Sequence, residues 1–207
     1  MGVYARHVLP RLSDLALRSP VIAAARARLV PLAGGRVLEV GIGSGLNLPF
    51  YGATVEALCG LDPSVDLWKL AAARRARTPF AVDFVDGSAE RVPAPDASFD
   101  TVLTTFTLCS IPDVAAALRE MRRVLRPGGR LLFLEHGRAP DRRVRAWQDR
   151  LTPLWRRVAG GCHLNRQIDE LIRTAGFAII RIEMAYSGYP KLLGYFFTGT
   201  AARPDPA

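Results

Sequence analysis

The feature that most limits how this chain can fold is one short stretch. Arg36-Val37-Leu38-Glu39-Val40 runs directly into Gly41-Ile42-Gly43-Ser44-Gly45-Leu46-Asn47. A brief apolar run that ends in closely spaced glycines reads as a buried strand turning sharply into a loop. Glycines permit positive φ and let the backbone approach a ligand with no Cβ in between. A helix is expected from near Leu46, with free N–H groups at its start that suit an anion. Beyond it the alternation is regular. Strands are expected at residues 54–61, 80–85, 99–105 and 130–135. Pro63 and Ser64 open a helix through Arg77. Asp113 is an N-cap for a helix through Leu125, whose Val114, Ala117, Leu118 and Met121 recur at helical spacing, and Pro127-Gly128-Gly129 stops it. Strands alternating with helices predict an α/β fold, a doubly wound and mostly parallel sheet covered on both faces. Its ligand crevice lies at the carboxyl ends of the strands, where the strand order reverses.

The flanks differ in character. Residues 4–32 read as two short helices divided by Ser19-Pro20. Val8, Leu12, Leu15 and Leu17 form a ragged apolar face on the first, with Arg6, Arg11 and Arg18 around it. An Arg- and Trp-rich helix is expected at 142–158, favoured as a lid whose aromatic face covers the site. After Gly160-Gly161 comes a helix at 165–175, then two β runs at 177–186 and 191–200. The turn Ser187-Gly188-Tyr189-Pro190 makes these an antiparallel pair at the sheet edge, and the tail from Ala201 is expected to fray. A length of 207 residues fits one domain. It divides into a helical extension at 1–33, a core at 34–136, and lid helices with a terminal hairpin at 137–200.

The loop discriminates between ligands. A dinucleotide site needs G-x-G-x-x-G, with pyrophosphate over the helix end. Here the spacing is G-x-G-x-G and Leu46 follows. Glu39, at the strand end, would repel a diphosphate. It would accept a ligand carrying an ammonium and a sulfonium, as S-adenosylmethionine does, and its product S-adenosylhomocysteine keeps the ammonium. Asp62 stands 21 positions after Gly41, where a carboxylate can take both ribose hydroxyls. A nicotinamide site would use an acid there too, and a helix cap is the plain alternative. Val85-Asp86-Gly87-Ser88-Ala89-Glu90 would lie beside adenine, or is an ordinary polar turn.

These pieces, with Val124-Leu125-Arg126-Pro127-Gly128-Gly129, resemble in order the motif series of class I methyltransferases across residues 36–136. The resemblance implies a seven-stranded Rossmann-like sheet with its last strand antiparallel. It also implies a cofactor pocket lined by Glu39, Gly41, Gly43, Asn47, Asp62, Pro63, Ser88, Ala89 and Thr105. A narrower likeness runs through Thr105-x-x-Leu108-Cys109-Ser110, Glu135-His136, Trp147-Gln148, Pro153-x-Trp155 and Gly161-Cys162-x-Leu164-x-Arg166. That series is similar to the microsomal alkyl-thiol methyltransferases and their bacterial relatives. It implies methyl transfer to a small-molecule acceptor, with a thiol first. Phospholipid head-group N-methylation and non-catalytic cofactor binding are the alternatives.

His136, after the fifth strand, is the candidate general base; its other reading is a histidine that shapes the pocket floor. Cys109, Cys162 and His163 match no zinc spacing, so no metal is expected. An odd count of three cysteines argues for a reducing compartment. With no signal peptide and no apolar run of ~18 residues, a cytoplasmic location is expected. Lys and Arg number 28 against 19 acids, a net charge of +9 that suits anionic partners, including peripheral contact with an anionic membrane. Nucleic acid is not expected, because no stacking-aromatic signature is present.

Overall fold

The computed structural model describes residues 8–204; Arg6, expected beside the first helix, lies outside them. Seven strands form one sheet: β1 (Gly35–Val40), β2 (Val55–Asp62), β3 (Ala81–Asp86), β4 (Phe99–Thr105), β5 (Leu125–His136), β6 (Ala178–Tyr186) and β7 (Tyr195–Ala202). Their order is β3-β2-β1-β4-β5-β7-β6. Only β7 runs antiparallel to its neighbours. The doubly wound fold with an antiparallel last strand is therefore as expected. After β1 the chain builds outward through β2 and β3, then returns to place β4 on the other side of β1. This reversal opens the crevice at the ends of β1, β2 and β4.

The helices are α1 (Leu9–Ala16), α2 (Pro20–Leu29), α3 (Val65–Lys69), α4 (Ala72–Arg75), α5 (Val114–Val124), α6 (Arg142–Val158) and α7 (Ile168–Thr174). Side chains alternate across the sheet, so neighbouring residues of β5 enter opposite cores. Leu131 and Phe133 pack with Leu118 and Met121 of α5 and Ile168 and Ile172 of α7. Leu132 and Leu134 pack with Ile22 and Leu29 of α2 and Leu58 and Leu103. Asp113 caps α5 as expected, accepting from Ala116 N at 2.9 Å.

Five local expectations change, the first at the tail: Ala201 and Ala202, expected to fray, end β7 in register with β5, and Ala201 is buried. No α-helix follows the glycine loop. Leu48–Phe50 is a single 3-10 turn, after which Tyr51 is extended and sends its hydroxyl to Glu39 at 2.7 Å. The expected helix from Pro63 through Arg77 breaks between Lys69 and Ala72 into α3 and α4. α5 stops at Val124, and Leu125 begins the strand by pairing with Phe99 of β4. The terminal strands pair, but β7 lies between β5 and β6, so only β6 is at the edge. Phe196, Phe197 and Ala201 explain this, since their burial needs cover on both sides while β6 is largely exposed.

Two helices display unexpected surfaces. α1 buries Pro10 and Asp14, while Leu12 and Leu15 face outward, Leu15 at 67% exposure. α6 buries Gln148 and Thr152, and Trp147 is 54% exposed. Gln148 explains its burial: its amide donates to Gly137 O and Leu192 O and accepts from Ala139 N, each at 3.0 Å. Among the described residues no helix is long and apolar enough to cross a membrane.

Candidate functional site

The turn after β1 is held by its neighbours rather than by a helix. Gly41 N donates to Leu61 O at 2.7 Å, and Gly45 N to Ile42 O at 2.9 Å. Gly41 and Gly43 have φ of +75° and +51°, a region that side chains with a Cβ adopt at a cost. At Gly41 a Cβ would also drive into the side chain of Thr107. At Gly43 it would meet nothing closer than 3.8 Å, so that glycine leaves open floor for a ligand.

Asp62, the last residue of β2, spans this turn and the next. Its Oδ2 accepts from Gly43 N at 2.9 Å and its Oδ1 from Ser64 N at 2.7 Å. Burial nevertheless raises its pKa, while those two backbone donors pull it down. Asp62 is thus an anchor of the turn and a wall of the crevice at once.

Glu39 is buried at the end of β1. Asn47 Nδ2 donates to its Oε1 at 2.8 Å, and Tyr51 Oη to its Oε2 at 2.7 Å. Burial lifts its pKa to about 7, against the pull of those two bonds and of Arg26. Asn47 also donates to Thr105 Oγ1 at 2.9 Å and accepts from Arg26 Nε at 2.9 Å. One amide therefore ties β1, β4 and α2 together. Burial also lowers Arg26 to a pKa of about 10.

These groups line a cavity of about 1010 Å³. All nine residues expected at the cofactor pocket are on its wall: Glu39, Gly41, Gly43, Asn47, Asp62, Pro63, Ser88, Ala89 and Thr105. Sequence reading missed other walls. Leu9, Pro10, Ser13, Asp14 and Leu17 of the α1 region close one side, and Phe106, Thr107, Ser110, Ile111 and Pro112 another. Ala159 and Gly160 bring only the C-terminal end of α6 to the rim, so the expected aromatic lid is not formed by Trp147. Phe106 carries a φ of +54°, a strained geometry that concentrates at functional sites.

Asp14 was legible and overlooked. It stands among apolar residues four positions before Arg18. Buried, it accepts from Ser44 Oγ at 2.5 Å and pairs with Arg18 and, at 3.5 Å, with Arg74. Arg74 in turn donates to Ser44 O at 2.7 Å. The helical extension thereby grips the glycine loop.

His136 is not on the cavity wall. It is buried behind Phe106, with ring centroids 6.4 Å apart and planes 19° from parallel. Its Nε2 lies 3.1 Å from Cys162 Sγ. Cys109, His136 and Cys162 bring their ligand atoms within 4.8 Å of one another. His163, weighed with the two cysteines from sequence, instead turns Nδ1 to Cys109 O at 3.1 Å. The hydrogen bond between the two thiols, and then burial, hold Cys109 well above the usual thiol range. The same bond, with His136, pulls Cys162 below it. Burial disfavours the His136 imidazolium, but Cys162 outweighs that and raises its pKa.

Comparison with known proteins agrees with this geometry. Residues 38–133 match the family described as "Methyltransferase domain". The thiol S-methyltransferase TMT1B of Rattus norvegicus is 32% identical over 151 residues, which cover 71% of this chain and 62% of that protein. The chain thus matches somewhat under two thirds of that relative's length. The phosphatidylethanolamine N-methyltransferase of Cereibacter sphaeroides is 38% identical over 107 residues, covering 50% of this chain and 51% of that one. In fold, the chain is similar to the Burkholderia thailandensis 1,6-didemethyltoxoflavin-N1-methyltransferase, solved with S-adenosylhomocysteine. The TM-score is 0.69 at 18% identity, over 95% of this chain and 84% of that one. Fold, matched domain and relatives agree: residues 38–133 of this chain carry a methyltransferase domain.

Proposed function

We propose that this protein transfers a methyl group from S-adenosylmethionine to a small-molecule acceptor, with an alkyl thiol as the preferred nucleophile. The observation that carries this is the crevice in which Glu39, the open Gly41–Gly43 turn and Asp62 converge. Its residues fit the cofactor. Glu39 is an anion for the ammonium, the glycine turn leaves room for the amino-acid end, and Asp62 has lone pairs left for ribose hydroxyls. Ser88 and Ala89 lie where the adenine edge would rest. When bound, the cofactor supplies an electrophilic sulfonium methyl.

The remaining wall argues for the acceptor. The cavity of about 1010 Å³ lies at the upper end of the roughly 300–1,000 Å³ that ligand sites enclose, which suits a large cofactor. Leu9, Pro10, Phe106, Ile111, Pro112 and Ala159 form an apolar end. Among the described residues the wall contains no histidine, lysine or cysteine. His136, set behind Phe106, acts on this reading as a support for the wall, not as a base. A nucleophile that ionises by itself needs no base from the wall. A thiol with a pKa near ~8.5 does so in part at neutral pH, whereas an alcohol does not. The protein then contributes position and line of approach.

The test is transfer of a radiolabelled methyl group to a panel of alkyl thiols, amines and phosphatidylethanolamine vesicles. Methylation of apolar thiols, rising with pH as the thiolate fraction grows, is the expected result. Label entering none of them, by a protein that binds the cofactor, removes the reading.

One observation favours a second reading, a lipid head-group acceptor reached at a membrane surface. Leu12 and Leu15 of α1, with Trp147, Leu154 and Val158 of α6, are exposed apolar groups. They stand among the exposed cations Arg11, Arg142, Arg150 and Arg157. The two helices meet where Leu9 abuts Gly160 beside the crevice. Apolar anchors with arginines suit the surface of an anionic bilayer. Label found only in the vesicle lipid would select this reading.

Glu39 makes cofactor affinity depend on pH. Pairing with an ammonium favours its charged form, so binding lowers its pKa and releases a proton. Affinity for S-adenosylhomocysteine should therefore tighten as pH rises through about 7, by about tenfold between pH 6 and 8, and level off above. Calorimetry in buffers of different ionisation enthalpy reads both the affinity and the proton. Glu39→Gln should bind more weakly and lose this slope; an unchanged slope in that variant removes Glu39 from the ammonium site.

A further inference from the structure

We propose that Cys109, His136 and Cys162 form a zinc site just behind the crevice wall. The three come from distant places: the loop after β4, the last residue of β5, and the turn after α6. No sequence spacing could reveal the set. In space, one imidazole nitrogen and two sulfurs lie within 4.8 Å of one another. Tetrahedral zinc, with bonds of about 2.3 Å to sulfur and about 2.0–2.1 Å to nitrogen, sets sulfur and nitrogen about 3.5 Å apart. The His136 Nε2 to Cys162 Sγ distance is 3.1 Å, so a small opening admits the ion.

The two cysteines are held in place independently of any ion. His163 N donates to Cys109 O at 2.8 Å. Arg166 donates to Leu108 O and, at 2.7 Å, to Ile111 O, clamping the Cys109 segment from both sides. Cys162 N donates to Ala159 O at 3.1 Å within a turn shaped by Gly160 and Gly161, both at positive φ. Ligands pre-arranged in this way avoid much of the ordering cost of binding a metal.

Ligand chemistry selects the ion. Two thiolates and an imidazole suit zinc over the oxygen-seeking magnesium or calcium. A divalent cation with two thiolates is neutral overall, which lowers the cost of burying the charges. The fourth position is left to a water molecule, from the side on which Cys162 is only half-buried. Each thiol gives its proton to solvent as its sulfur takes the ion, and no oxidation occurs. The role is positional: the ion pins the 109–112 loop to the 159–162 turn, and both line the crevice. The inference does not depend on which acceptor is methylated.

The test is the metal content of the full chain, made in zinc-supplemented medium and dialysed under reducing conditions. Wild type should hold about one zinc per chain. Cys109→Ser and Cys162→Ser should lose it, and Cys59→Ser, on β2, should keep it. Should the serine variants fail to fold, wild type alone still decides. Cobalt(II) added after chelation should give near-ultraviolet sulfur-to-cobalt charge transfer and the strong visible bands of four-coordination. Zinc should also protect two of the three thiols from alkylation until a chelator exposes them. Wild type without zinc and with a featureless cobalt spectrum overturns the proposal. So do metal retained in both serine variants, or a Cys109–Cys162 disulfide in metal-free protein.

Discussion

Asp62→Ala should lower affinity for S-adenosylhomocysteine by at least about 100-fold, the largest effect expected of any single change in the crevice. Hydrogen bonds to a charged group contribute about 1.5–3 kcal/mol each, and about 1.4 kcal/mol is a factor of ten. Losing a two-hydroxyl grip on ribose therefore accounts for about 3 kcal/mol. The variant loses more than the grip. Gly43 N and Ser64 N, now bonded to the two carboxylate oxygens at 2.9 and 2.7 Å, are left without acceptors, so the turn under the cofactor loosens as well. Asp62→Asn keeps the shape and one acceptor oxygen, and should fall between wild type and alanine. Calorimetric titration measures the loss, and circular dichroism confirms that the variants fold. Folded Asp62→Ala binding within about fivefold of wild type would show that the sugar is gripped elsewhere.

Gly41→Ala should be the most damaging single methyl in the glycine turn. The residue has a φ of +75°, and strain of that kind costs about 1–3 kcal/mol. The added Cβ also enters the space of the Thr107 hydroxyl and methyl, and overpacking of a tight site costs about 1–3 kcal/mol. A combined loss of about 3 kcal/mol should lower Tm by roughly 6–12 °C in a chain of this size. Pairing it with Thr107→Ala separates the two causes. The double variant should recover the steric part and keep the backbone part. Full recovery would mean that the left-handed turn carries no strain, and no recovery that Thr107 is not the obstacle. Gly43→Ala is the contrast, because its Cβ meets nothing closer than 3.8 Å. Its stability loss should be confined to the backbone, while cofactor binding suffers from the filled floor.

The architecture was legible because it depends on local pattern. Buried strands of a parallel sheet read as apolar runs, and helices on its faces read as apolar residues at 3.6 spacing. β4 and α6 lie where the pattern placed them, and Asp113 caps α5. The nine residues on the crevice wall were legible for a related reason. They stand at the carboxyl ends of strands or on the loops leaving them, and the strand order carries all such ends to one edge.

Tertiary structure decided the rest, because those outcomes depend on contacts between distant segments. The helix expected after the glycine loop gave way to one 3-10 turn, since Tyr51 leaves it to bond Glu39. β7 took the inner place beside β5 because its phenylalanines needed cover on both sides. α1 turned Asp14 inward and Leu12 and Leu15 outward, because a buried carboxylate with Ser44, Arg18 and Arg74 around it is satisfied there. His136 and two cysteines, 27 and 26 positions from it on either side, met behind Phe106 only through the packing of β5 against the turn after α6. Local periodicity determined which segments are strands and helices, since each needs to bury one face. Which polar groups share a pocket was set by the three-dimensional path, because hydrogen bonds and ligand sets depend on distance in space and not along the chain.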